Sequence, residues 1–316
     1  MSRCQKLRAL RNISCKVFYS GSEKGLKGNS VMSVNVNEVL LQQVDRVEAT
    51  ILVDNVTDML VRDSSHARRA PAFNRTEMLP SLRAEHGFSA LVVVHVNNSD
   101  RRVLFDTGAS GDVVLFNVDR LGVDLSKVEA IVLSHGHSDH AGGLIPILER
   151  IGKPKMPVVL HSDGLLKRWF VLQDGQKKRL PSLQEDKVLT SGAKLVKIAQ
   201  PYPLLGNLVV ATGEIPRRSQ FEQGFPGHQA EINGELQPDP LVRDDQALVM
   251  NVKEKGLVII SGCAHAGIIN TILYAKELTG VDEVYVVMGG FHLSFPNESI
   301  IDPTVAELKH IGPKFI

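Results

Sequence analysis

One heptapeptide restricts this chain more than any other stretch. Ser134-His135-Gly136-His137-Ser138-Asp139-His140 follows directly on Val128–Leu133, a run that reads as a buried strand. Three imidazoles and a carboxylate therefore sit in a loop between a strand and a helix. Neutral imidazole and carboxylate are preferred ligands of zinc and similar divalent ions. In an extended turn His135 and His137 point the same way, and Asp139 and His140 follow as the chain bends into the helix. That geometry can feed two neighbouring ions, one pair of residues each.

Other segments repeat the strand-then-loop arrangement. Phe105-Asp106-Thr107-Gly108 ends the strand Arg102–Phe105, and Asp106 is placed to support the His loop or to orient a metal-bound His. Ser261-Gly262-Cys263-Ala264-His265-Ala266-Gly267 lies between the strand Gly256–Ser261 and a helix. It offers His265 as a ligand and Cys263 as a weaker candidate. Gly289-Gly290-Phe291-His292 follows the strand Glu283–Met288 and offers His292. Ligands gathered from several strand ends are how a rigid scaffold builds a site. Glu214 is a further weak ligand candidate. Arg217 and Arg218 could hold a phosphate or carboxylate, and His86 could line the cleft.

The remaining pattern predicts strands at Val47–Val53, Ser89–Val96, Val158–His161 and Ala247–Val252. Helices are expected at Asp112–Leu121, Gly143–Ile151, Ile268–Leu278 and Thr304–Ile311. Asp63–Leu82 reads as a loop, and residues 162–245 as two or three strands with a long irregular segment. Strands in succession followed by βα units suggest α/β layers with mixed sheets.

The 316 residues suffice for a sizeable core. Thirty-six basic against 35 acidic residues give a net charge of +1, which provides no global field for nucleic acid or an anionic membrane. The longest apolar stretches are too short to span a bilayer. Cys4, Cys15 and Cys263 make no disulfide framework, so a cytoplasmic setting is the expectation. Residues 1–43 are read as a basic, disordered tail or a transit-like segment, which would make the setting mitochondrial. Residues 44–316 are read as one domain.

The segment His135–His140, with Asp106-Thr107-Gly108 upstream, resembles the metal-binding signature of the metallo-β-lactamase superfamily. The resemblance spans about Val44 to Ile311 and implies a four-layer αββα sandwich of two mixed sheets with one or two zinc ions along the sheet edge. Glu85-His86-Gly87, Gly213-Glu214-Ile215-Pro216-Arg217, Asp244-Asp245-Gln246-Ala247, Gly262–Gly267 and Gly290-Phe291-His292-Leu293 look like the branch named after dihydropterin–ribofuranosylaminobenzene 5′-phosphate synthase. There are two departures. Much of the superfamily carries a metal-bridging Asp where Cys263 stands, and the branch usually continues with another His- and Cys-containing segment beyond the position of Ile316.

The activity expected on these grounds is metal-dependent hydrolysis of a small ester, amide or phosphoester, phosphorylated substrates included. A zinc-activated water would attack, and Asp139 would take its proton. His135 and His137, with His265 or His292, would hold one ion, and Asp139 and His140 the second. The alternatives are a transferase of the synthase type and a metal-binding pseudoenzyme without turnover. A nuclease would need a basic groove that the sequence does not show.

Overall fold

The computed structural model describes residues 39–172, 174–294 and 298–316. In chain order the strands are β1 (Gln43–Val44), β2 (Arg46–Val53), β3 (Ser89–Val96), β4 (Ser99–Phe105), β5 (Ala130–Val132), β6 (Met156–His161), β7 (Arg168–Val171) and β8 (Lys177–Arg179). They continue as β9 (Ala193–Ile198), β10 (Tyr202–Leu204), β11 (Val209–Ala211), β12 (His228–Ile232), β13 (Glu235–Pro238), β14 (Ala247–Val252), β15 (Gly256–Ser261) and β16 (Val284–Gly289). The α-helices are α1 (Gly111–Leu121), α2 (Ser138–Ala141), α3 (Leu144–Ile151), α4 (Glu185–Thr190), α5 (Ile268–Thr279) and α6 (Ile301–Ile311).

Two six-stranded mixed sheets form the body. One runs β2-β3-β4-β5-β6-β9, antiparallel at its start and parallel from β4 onward. The other runs β10-β11-β14-β15-β16, with β1 paired to β14 and only the β1–β14 and β15–β16 pairings parallel.

Strand side chains alternate faces, and here both faces are apolar. Ala90, Val92, Val94, Val103 and Phe105 pack against Leu248, Met250, Val258 and Ile260 of the facing sheet. Their neighbours Leu91, Val93, Leu104 and Ile131 turn outward onto Val114 and Val118 of α1 and Ile147 and Leu148 of α3. On the far side Val249, Leu257 and Ile259 meet Ile268 and Ile272 of α5 and Leu308 of α6. Burial on both faces is why these strands read as continuous apolar runs. The result is helix, sheet, sheet, helix.

Topology decides where the site falls. β4, β5 and β6 run parallel, so their carboxyl ends share one edge, and β3 and β14 start at the corresponding edges because each is antiparallel to a neighbour that ends there. β15 and β16 end together, with Ser261 opposite Gly289. The loops carrying Asp106, His135–His140, Asp244, His265 and His292 therefore face one another.

Residues 162–245 differ from the expectation of two or three strands. Their described residues hold seven strands and helix α4. Four of the strands form a separate sheet, β13-β12-β7-β8. These strands are three to five residues long, and β8 and β13 are wholly exposed. They lack the apolar period that reveals a strand. The loop read at Asp63–Leu82 contains only an isolated bridge, Phe73 to Met78.

Most of the basic N-terminal segment lies outside the described residues. Residues 39–43 join the domain: the Val39 amide donates to Leu278 and the Gln42 amide to Asn207. No helix among the described residues is long and apolar enough to cross a membrane.

Candidate metal centre

Asp106 is the keystone of the centre. It is fully buried and adopts a left-handed backbone, φ +57°. One carboxylate oxygen accepts the Ser134 amide at 2.6 Å. The other accepts the Ser134 hydroxyl at 2.7 Å and the Nδ1 of His140 at 2.6 Å. Because the Ser134 hydroxyl proton is committed to Asp106, the His135 Nδ1–H donates to Ser134 Oγ at 2.9 Å. Both His135 and His140 thus have Nδ1 engaged and Nε2 turned to the interior, which is the usual means of orienting imidazole ligands.

Around those nitrogens the donors converge in two groups. His135, Cys263 and His265 bring ligand atoms within 4.8 Å of one another, and so do Asp139, His140 and Cys263. His140 Nε2 lies 3.1 Å from Cys263 Sγ and 3.4 Å from Asp139 Oδ2. His137 stands beside the first group, with its Nδ1 3.0 Å from His135 Nε2. The His292 ring is 5.0 Å from that of His265 and borders the same cleft, although His292 belongs to neither group. Among the described residues, the buried Nε2 atoms of His137 and His265 have no hydrogen-bond partner. Buried polar atoms are nearly always paired. Nitrogen, carboxylate and thiol donors gathered this closely fit a zinc-like ion.

The electrostatics agree with this reading for His135, His137 and His265 and differ for His140. Burial, with the neighbouring imidazoles of His140, His137 and His265, holds His135 well below the ordinary histidine range. Burial and His228 push His137 down to about 3. Burial and His137 hold His265 well below its usual range. These rings stay neutral, the state in which imidazole ligates. Burial opposes charge on both partners of the Asp139–His140 pair. Its effect is outweighed on Asp139 by the hydrogen bond from His140, and on His140 by Cys263 and Asp106, so in the metal-free chain Asp139 stays below its usual range and His140 well above, and His140 would have to give up its Nε2 proton to ligate.

Remote residues fix the loops. The Asp244 carboxylate accepts the Gly136 amide at 2.7 Å and pairs with Arg168 at 2.6 Å. Arg168 also reaches Asp239 at 2.7 Å, tying the small sheet to the His loop. A Cβ on Gly136 would come within 2.0 Å of the Gly164 carbonyl oxygen, so only glycine fits there. Asp245 accepts the Ala266 amide at 2.7 Å, and Ala264 takes a left-handed φ of +55° to turn the His265 loop.

Three sequence candidates lie elsewhere. Glu214 is more than a third exposed and sits 4.0 Å from Arg243, outside both donor groups. Arg217 donates to the carbonyls of His265 and Leu241, so it braces the His265 loop from behind. Arg218 pairs with Glu277. The anion-holding role expected of the two arginines is not what their geometry offers, because each guanidinium already has protein partners and neither borders the cleft. His86 does border the cleft, and its Nε2 lies 3.5 Å from Asp139. Sequence reasoning passed over His228. Its ring stacks on Phe225 with centroids 4.9 Å apart and meets His137 edge-on, also at 4.9 Å. Together with Phe170 it walls the open cleft of about 400 Å³ above the donors.

A layered sandwich with a histidine-rich loop and converging donors at one edge defines the class. The family model of the metallo-beta-lactamase superfamily matches residues 84–276, and the chain belongs to that superfamily. It is 33% identical over 241 residues to the 7,8-dihydropterin-6-methyl-4-(beta-D-ribofuranosyl)-aminobenzene-5'-phosphate synthase of Methanocaldococcus jannaschii, covering 74% of this chain and 79% of that protein. It is 33% identical over 231 residues to the uncharacterized protein MJ0448 of the same organism, covering 72% and 80%. Among solved structures it is similar to Tm1679, described as a metal-dependent hydrolase of the beta-lactamase superfamily. The TM-score is 0.63 at 28% identity, with 85% of each chain covered.

Proposed function

We propose that this chain is a zinc-dependent hydrolase acting on small ester, amide or phosphoester substrates, phosphorylated ones included. The observation that carries the reading is the convergence of His135, Asp139, His140, Cys263 and His265 beneath an open cleft. When bound, the ion supplies Lewis acidity and lowers the pKa of a coordinated water to about 7. Asp139, ionised and facing the cleft, accepts the proton of the attacking water. His86, with its side chain largely in solvent, stands next to Asp139 and borders the same cleft, where it could contact substrate. His228, Phe170 and Phe291 exclude bulk water from one side of the cleft and give an apolar surface for the substrate body. Cysteine usage supports a cytoplasmic setting. The balanced charge supports a small-molecule partner over nucleic acid or membrane.

A transferase reading is favoured by one finding, the synthase name of the Methanocaldococcus jannaschii relative. It would use the same ions to stabilise a leaving pyrophosphate. Metal analysis after zinc-replete purification, with His135→Ala and His137→Ala as controls, tests the common ground. Turnover of generic phosphodiesters and lactones supports hydrolysis. Pyrophosphate release from a pterin substrate, without such turnover, replaces hydrolysis by transfer. Bound metal with neither activity leaves a binding module, and absence of bound divalent metal overturns the proposal.

A further inference from the structure

We infer that Lys178 is a specificity-determining residue, recognising an anionic group, carboxylate or phosphate, at the far end of a substrate whose reacting bond lies at the metal centre. The inference rests on the hydrolase reading above and adds which substrates the cleft selects: those with a flat or apolar body and a negatively charged tail.

The placement of Lys178 follows from strand register. β12, β7 and β8 are neighbours in the small sheet, and His228, Phe170 and Lys178 lie directly opposite one another across them. Residues directly opposite in antiparallel strands share a face. His228 and Phe170 meet edge-on with ring centroids 5.8 Å apart, and both line the cleft. Lys178 carries that row one strand further. Residues two apart in a strand also share a face, and Leu180, two beyond Lys178, lines the cleft as well. The opposite face is marked by the paired Trp169 and Arg179, whose guanidinium lies 5.8 Å from the indole ring. Lys177, opposite Val171, belongs to that outer face.

An exposed lysine on an edge strand ordinarily discourages pairing with another chain. β8 is an edge, but Lys177 and Arg179 supply that charge without facing the cleft. Among the described residues no lysine or arginine lines the cleft wall, so an anionic tail finds no cation there. Lys178 is exposed and, among the described residues, forms no ion pair, whereas Lys167 is held by Glu231 and Lys197 by Glu185. Strands lie about 4.8 Å apart, which puts Lys178 about 10 Å across the sheet from His228. The His228 ring in turn meets that of His137 at 4.9 Å. The row therefore measures length: reacting bond at the His137 end, apolar body over Phe170, anion at Lys178. Lys178 contributes charge alone and exchanges no proton with the substrate.

The test measures binding by calorimetry to the zinc-loaded full chain, so it does not depend on turnover. The probes are two biphenyl thiols anchored through sulfur on zinc, one ending in a carboxylate and the other in the neutral carboxamide. The wild type should bind the carboxylate about 2–5-fold more tightly at low salt, the range of an exposed ion pair. High salt should shrink that preference. Lys178→Ala should abolish it and Lys178→Glu reverse it. Lys177→Glu, the same charge change on the outer face, should leave it in place. Equal binding of the two probes, failure of either to bind, a preference that survives Lys178→Ala, or an equal loss in Lys177→Glu overturns the inference. The hydrolase reading stands in each of those cases if the chain holds zinc and turns over generic lactones or phosphodiesters. A chain that holds no zinc overturns both.

Discussion

The Nδ1–H of His140 donates to the Asp106 carboxylate across 2.6 Å, with both side chains sealed from solvent. That one bond fixes the ring orientation of His140 and the position of the His loop, since the same carboxylate holds the amide and hydroxyl of Ser134. Asp106→Asn should weaken metal affinity by about 10–100-fold. Asp106→Ala should also destabilise the metal-free chain by at least about 2 kcal/mol, because buried donors lose their acceptor. Competition with a chromophoric chelator measures the first effect and urea unfolding the second.

Arg168 and Asp244 form a buried ion pair linking β7 to the His loop. Arg168→Ala leaves two carboxylates uncompensated and should cost about 3–5 kcal/mol. Loosening of Gly136 should lower metal affinity in the same variant. Denaturant midpoints and metal titration check both, and an unchanged affinity would show that Asp244 holds the loop without help.

Gly136→Ala should abolish tight metal binding. The new methyl collides with backbone at Gly164, which cannot swing away as a side chain could. Overpacking of this kind costs about 1–3 kcal/mol, and the displacement falls between His135 and His137. Metal content after purification reads the outcome.

Burial, with the charge of Arg168 added, pushes His228 down to about 4. In the unfolded chain a histidine titrates near 6.5. Between those values the unfolded state takes up a proton that the folded state refuses, so this residue costs stability as the pH falls. In the metal-free protein His228→Gln should therefore gain on the wild type by about 2–3 kcal/mol as pH drops from 7 to 4. Parallel unfolding curves across that range test the sign.

Much of this was legible because each loop carrying candidate donors follows an apolar strand. The strands β4, β5, β15 and β16 announce their carboxyl ends, and the residues just past them, Asp106, His135–His140 and His265, could be picked out singly. What could not be read were partnerships between distant residues. Arg168 and Asp244 are 76 residues apart, and nothing local marks either as half of a pair. His228 begins a short strand with no apolar period, so its place over the donors depends on a sheet that the pattern did not reveal. Arg217 and Arg218 show the converse error. Two adjacent charges look like an anion site, but one guanidinium turned to backbone carbonyls and the other to Glu277.

The donors come from opposite halves of the sandwich: His140 and Cys263 are 123 residues apart in the chain and belong to loops of different sheets. An ion gripped between them would act as a rivet through the two layers as well as a reagent. Chelation should then lower heat resistance along with activity, and the assembled fold should become a reporter of metal supply.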